Sequence, residues 1–388
     1  MSRGQRWSLA LVTGLAIAGL LLVAVQPPRA RASADFTVLY SAGRLVLSGH
    51  ADRVYDQAWL GPVIRRVAGG VAFDSRLPFN EPLAALLPFS LLAALPATIA
   101  LRVWQGISLL LLVAAIWLLQ SAAPLGRRAT MLGVLGLLAA APTWSTLIEG
   151  QVSAVLLLGA SLVAVAVLRG RPAAALAGAA LLAIKPQYLL PALAVLVVLR
   201  KPRLIAGALL GAGAVLMSPL MAGGVPALEA MIRAMLGTDQ VTPVRLSESW
   251  AGWLAGVLPA RFDTPVALAI MTAAAIAILW VGPRLRGEPL ALLAVAGWAG
   301  VLASPHCLPH DLVLLAVPAW CAAALHRESR LPSPLPALVL CDAALVIDEL
   351  GPPVLLAPAL MTAALILYAV AFRRRRAAQI PAHRGAAA

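Results

Sequence analysis

Long apolar runs constrain this sequence more than any other feature. Runs at 98–119, 129–147, 152–168, 204–222 and 264–281 approach the ~20 residues a helix needs to cross a ~30 Å hydrocarbon core. Others fall at 8–25, 83–97, 173–184, 187–199, 289–303, 308–325, 335–347 and 353–372. In lipid, every backbone polar group must find its partner inside the protein, which leaves helices as the structure for such runs. The expected fold class is therefore all-α, a polytopic integral membrane protein. Composition points the same way: 61% of residues are hydrophobic and 12% charged, against about a quarter charged in soluble domains.

The net charge of +14 does not indicate nucleic acid. The Lys and Arg residues lie in short clusters between apolar runs, with no basic domain and no aromatic platform. They read as topology signals and contacts to anionic headgroups. Arg3 and Arg6 in the cytoplasm put the first loop outside, and the clusters at 127–128, 169–171, 200–203, 284–286, 327–330 and 373–376 then fall inside. This predicts about twelve crossings if 83–97, interrupted by prolines, does not cross, and thirteen if it does. Ala32-Ser33-Ala34 would suit a signal-peptide cleavage site, but the preceding run is long for a signal core, and an uncleaved anchor is the expected state. Residues 1–372 then form one transmembrane domain, with external loops at 26–81 and 223–263 and a basic cytoplasmic tail at 373–388. Cys307, Cys321 and Cys341 show no paired spacing, so neither zinc nor a disulfide is expected.

The first loop carries the longest polar, patterned passage, Ser33 to Asp56. Phe36, Leu39, Tyr40, Gly43 and Val46 recur at helical spacing, which predicts an interfacial helix with one apolar face, ended by Gly49. A second helix is expected over Val54–Val67, stopped at Gly69-Gly70. Asp35 opens the first helix, just after a span. It suits a general base in a buried setting, or simply the favourable end of a helix dipole.

The predicted topology brings Asp35, Glu149-Gly150-Gln151, Lys185-Pro186 and Ser304–Asp311 to one face. Ionisable residues at membrane depth are costly and usually face a cavity. Lys185, between two short spans, is a candidate for neutralising a phosphate or for a snorkelling amine at a helix break. His306 and His310 could bind phosphate or sugar hydroxyls. Their spacing also admits a metal, but Pro309 disrupts a shared face and no third ligand is obvious, so no metal or cofactor is expected. Gln151 could contact sugar or close a turn. Arg44, Asp52 and Asp56 read also as solvated charges, and Trp250 and Trp253 as interfacial anchors or sugar-stacking rings.

These segments in this order, DF…Y.A……SG…VYD from Asp35, then PFNEPLAALLPF from Pro78, EGQ from Glu149, IKP from Ile184 and SPH…HD from Ser304, resemble glycosyltransferase family 87. These are GT-C-type membrane enzymes that include polyprenyl-phosphomannose-dependent mannosyltransferases of lipoglycan assembly. The resemblance covers about 30–325. It implies a many-helix fold, an external active site, a polyprenyl-phosphate sugar donor, a lipid or glycan acceptor, and an inverting transfer of a mannosyl or other hexosyl unit in the plasma membrane. It assigns the base to Asp35. On this reading the donor phosphate falls to Lys185, His306, His310 and Arg44, and sugar or acceptor contacts to Gln151, Glu149, Asp311 and Tyr40. One departure stands out: family members often have an aromatic-Pro-Pro pattern where this chain has Phe79-Asn80-Glu81-Pro82. The competing class is a polytopic transporter or lipid flippase, but such proteins usually carry repeated halves, and no repeat is visible here.

Overall fold

A computed structural model describes residues 3–25, 34–69, 77–236, 244–329 and 356–379. No strand is present among them. The helices are α1 (Arg3–Val25), α2 (Ala34–Leu47), α3 (Gln57–Ala68), α4 (Leu87–Leu92), α5 (Ala97–Ala122), α6 (Arg127–Ala139), α7 (Ala141–Glu149), α8 (Ser153–Arg169), α9 (Pro172–Leu182), α10 (Pro186–Val198), α11 (Pro202–Leu216), α12 (Pro219–Leu236), α13 (Trp250–Val257), α14 (Asp263–Val281), α15 (Pro289–Leu302), α16 (Ala316–Ser329) and α17 (Leu356–Gln379). Short 3-10 turns link several of them, including Leu83–Leu86 and Pro309–Leu315.

Helix breaks follow proline and glycine. Pro142, Pro186 and Pro289 each sit in the first turn of a helix, where a missing N–H costs nothing. Proline also drives the residue before it out of the α region, and Lys185 accordingly has extended angles, φ −123° and ψ 90°. The apolar stretch 173–199 is thereby split, and Lys185 stands at the break.

By length and composition, Ala97–Ala122 and Ala260–Leu285 can each cross a membrane as single helices among the described residues. Two bent pairs raise that number to four: α6 with α7, bent by 51°, and α11 with α12, bent by 74°. The remaining apolar helices have 10–17 residues, so helix length does not reproduce the expected twelve crossings. Leu83–Leu92 extends about 17 Å, roughly half a hydrocarbon core. The expected span 308–325 is instead a 3-10 segment followed by α16. The second loop, 223–263, is largely helical. α12 runs into it across a kink at Gly223-Gly224, and α13 lies beyond. The expected span 335–347, with Cys341, falls outside the described residues.

One apolar core runs from α2 through α5, α8, α9, α10, α15 and α16 to α17. A small satellite core forms around Val244, Ala251, Ala255 and Ala267, closed by a bidentate Arg245–Asp263 pair. The structure corrects the expectation for α2. Phe36 to Gly43 are buried all round, not on one face. Thr37, Ser41 and Ala42 occupy its supposed polar side and are small enough to pack against protein. α2 abuts α3 and α4. Gly43 lies so close to Phe89 that a Cβ there would come within 2.6 Å of its backbone.

Candidate active site

Four segments meet around Asp35. α7 ends at Glu149 because Gly150 takes a left-handed conformation, φ 63°, which non-glycine residues adopt only at a cost. A Cβ on Gly150 would also sit 2.8 Å from the Cβ of Phe36, so α7 closes directly onto α2. Trp104 Nε1 donates to Gly150 O at 2.8 Å and Gln105 Nε2 to Leu147 O at 2.9 Å, fastening this terminus to α5. The side-chain amide of Gln151 hydrogen-bonds Asp35, while its oxygen accepts from Val152 N.

Lys185 and the 3-10 segment Pro309–Leu315 supply the opposite wall. Lys185 Nζ donates to both oxygens of Asp311, at 2.9 and 3.2 Å. Ser153 Oγ donates to the same carboxylate at 2.9 Å. His310 Nδ1 lies 2.9 Å from Glu149 Oε2, its Nε2 lies 3.8 Å from Asp311, and Thr146 Oγ1 donates to its carbonyl. His310 and Asp311 are each 1% exposed. Lys185, Asp311, His310 and Glu149 thus form a continuous charged chain on one side of Asp35.

Burial pushes the Asp35 carboxyl above its usual range. His310, Lys185 and the Gln151 amide counter this shift, while Glu149 reinforces it. Ligand atoms of Asp35, Glu149 and His310 lie within 4.8 Å of one another, a spacing a cation could bridge. This grouping differs from the His306–His310 pair weighed from the sequence, since His306 is not part of it. The His310–Glu149 hydrogen bond already joins two of the three groups without a metal.

Glu81, given no role in the sequence reading, lies within electrostatic reach of Asp35 and Lys185. Burial pushes its carboxyl up to about 7, the Lys185 ammonium lowers it and Asp35 raises it. Its position within the FNEP segment was the available signal.

Other sequence candidates lie apart. Arg44 is exposed, nine residues along α2 from Asp35, about 13 Å at helical rise. Tyr40 is buried, stacks on Phe36 with ring centroids 5.7 Å apart, and donates its hydroxyl to Leu95 O at 2.7 Å, so it ties α2 to the chain after α4. The His306 carbonyl accepts from Ser304 Oγ at 3.0 Å and from the Tyr188 hydroxyl at 3.4 Å. Trp250 Nε1 donates to Thr362. Tyr188 also lines an apolar groove with Pro191, Val195, Gly297, Val301 and Pro318.

In a helical, highly apolar chain, carboxylates, a lysine and a histidine gathered at one place are groups suited to the proton and charge handling of group transfer. A family model described as glycosyltransferase family 87 matches residues 79–305, more than half of the chain. The chain belongs to glycosyltransferase family 87 and is a membrane glycosyltransferase. The matched region contains Glu81, Glu149, Gln151 and Lys185, and ends before His306; Asp35 precedes it. A search of curated proteins finds no match.

Proposed function

We propose that the protein transfers a hexosyl unit, mannose being the leading candidate, from a polyprenyl-phosphate donor to a lipid or glycan acceptor, with inversion, at the outer face of the plasma membrane. Asp35 is the base that takes the proton of the acceptor hydroxyl. The oxygen then attacks the anomeric carbon, the bond to the phosphate oxygen breaks, and the lipid phosphate leaves with the electron pair. The observation that carries this reading is the placement of Asp35: half-buried, bonded to Gln151, and next to Glu149 and His310. Burial raises its proton affinity, as a working base requires.

The other residues supply the opposite half of the reaction. Asp311 occupies two of the three Lys185 protons and aims the ammonium, leaving the third for the donor phosphate. His310 adds positive charge when protonated and is oriented by Glu149. Gln151 aligns Asp35 and remains near the acceptor. The His306 carbonyl accepts from Tyr188, one of the residues lining the apolar groove, and that lining suits a prenyl chain. Tyr40 acts through the packing of α2. Arg44, exposed at the far end of α2, has no part in this assignment.

The test uses purified protein in nanodiscs, supplied with a panel of polyprenyl-phosphate hexoses and a membrane lipid extract, with products read by mass spectrometry. Asp35→Asn should lower turnover by about two to four orders of magnitude, the usual contribution of a general base. Asp35→Glu should recover little, because a displacement of about 1 Å costs roughly a hundredfold. Wild-type turnover by Asp35→Asn would overturn the assignment.

A further inference from the structure

A second set of charges lies at the opposite end of the bent α6–α7 pair from Glu149. The turn at 123–126 joins α5 to α6. Arg169, at the end of α8, donates from Nη2 to Ser121 O. Arg327, near the end of α16, donates from Nη1 to Pro124 O at 3.1 Å. A guanidinium carries five N–H donors, and each of these two spends one on the turn. Arg127 and Arg128 follow directly and open α6. All four arginines are exposed. Acid is scarce around them. No Asp or Glu occurs between Glu81 and Glu149, or between Glu149 and Glu229, so α5, α6 and α8 carry none. In α16 there is one, Glu328, beside Arg327 in sequence.

The same turn closes an apolar groove. α5 packs mainly on α8 and α6 on α1, so the two helices part beyond the turn that joins them. Leu112, Ile116 and Trp117 of α5 and Val134 and Leu138 of α6 line the gap, with Gln120 and Thr130 at the turn end. Val113, also in the lining, is 58% exposed and Trp117 68%, so the groove opens outward along its length. The lining runs from Gln120 back to Leu112 and from Thr130 on to Leu138. That is about 12 Å of helix, within the roughly 15 Å of one leaflet. An apolar groove of that depth, ending beneath four exposed arginines, matches a molecule with an apolar tail and an anionic head.

We propose that this is a binding site for an anionic glycerophospholipid: one acyl chain lies in the α5–α6 groove, and the phosphate meets Arg127, Arg128, Arg169 and Arg327. Lipid tails are as apolar as the groove itself, so the groove positions the chain, and the arginines select the anionic headgroup. The site is separate from the Asp35 centre and does not depend on the reaction assigned there.

The experiment titrates phosphatidylglycerol into the purified full chain in a neutral detergent and follows bound lipid by native mass spectrometry. Wild type should bind phosphatidylglycerol saturably. Phosphatidylcholine, without net charge, and glycerol phosphate, without a chain, should bind much more weakly. Arg127→Gln/Arg128→Gln should weaken phosphatidylglycerol binding by about 30-fold, roughly fivefold for each arginine. Arg127→Lys/Arg128→Lys should retain most of it, which also covers failure of the glutamine pair to fold. Arg65→Gln/Arg66→Gln removes the same charge from α3, outside the groove, and should leave binding nearly unchanged. Val113→benzoylphenylalanine should crosslink to the bound lipid under light. Absence of saturable binding, equal binding of phosphatidylcholine, or glycerol phosphate binding as tightly as the whole lipid would overturn the proposal. So would equal losses from the α3 pair, or crosslinks from position 113 only to the protein's own chain.

Discussion

At the scale of single residues, the Lys185–Asp311 pair has the clearest energetic consequence. The Lys185 side chain is 14% exposed and that of Asp311 1%. Removing one partner strands the other charge, which typically costs about 3–5 kcal/mol, whereas replacing both by apolar groups of similar volume is often nearly neutral. Lys185→Met and Asp311→Leu should each lower the unfolding midpoint strongly, and the double variant should recover much of the loss while remaining inactive. Thermal denaturation of the four proteins in one detergent checks this cycle. Glu81 gives a pH prediction. Its carboxyl titrates at about 7 in the folded chain, above the ordinary 4.5. Folding therefore favours the protonated form: the stability is fully present below pH 4.5 and is lost as pH rises through 7. The loss is at most about 3.4 kcal/mol, at 1.36 kcal/mol per pH unit over about 2.5 units. Wild type should melt lower at pH 8 than at pH 5, and Glu81→Gln should flatten that dependence.

At the scale of elements, close contacts replace side chains at two glycines. Gly150→Ala combines a left-handed backbone, costing about 1–2 kcal/mol, with a Cβ pressed against Phe36. It should destabilise the protein by at least that amount, and shifting Gln151 should cost activity beyond the stability loss. Activity measured well below the melting temperature separates the two effects. Much of this local architecture was legible in the sequence. Pro186 marked the break that leaves Lys185 between α9 and α10, Pro309 kept His306 and His310 off a shared helix, and Gly49 and Gly69 ended α2 and α3. The burial of α2 was not legible. Periodicity distinguishes large apolar residues from charged ones, but Thr37, Ser41 and Ala42 are compatible with either environment. Only the partners α3 and α4 decide which side of α2 meets protein. Glu81 was missed for a related reason: a charged residue in a polar loop resembles a solvated one until Phe79 and Tyr55 are seen to hold that loop inside.

At the scale of the whole molecule, charge bias and the placement of unusual polar residues pointed to Asp35, Glu149, Gln151, Lys185 and the Ser304–Asp311 segment as neighbours, and the structure brings members of all four segments together. Helix count was less accessible, because prolines and glycines divide apolar runs into pieces that single-helix length rules do not capture. Topology remains open to direct measurement. In a chain with Cys341 replaced by Ser, buried Cys307 and Cys321 should stay silent to a membrane-impermeant thiol reagent. Asp52→Cys should label from outside, and Arg127→Cys and Arg171→Cys only after the membrane is opened. Labelling of Asp52→Cys from the inside alone would move the proposed site to the other face. The spread of the site along the chain also affects synthesis. His310 and Asp311 lie 161 and 126 residues beyond their partners Glu149 and Lys185, and Asp35 lies earlier still. The candidate site consequently has no nascent form. While the ribosome is still short of residue 310, Lys185 lacks its Asp311 partner and Asp35 has no imidazole beside it. On the proposed assignment, the growing chain should be catalytically silent as its helices enter the bilayer, and a product truncated before that point should show no transfer.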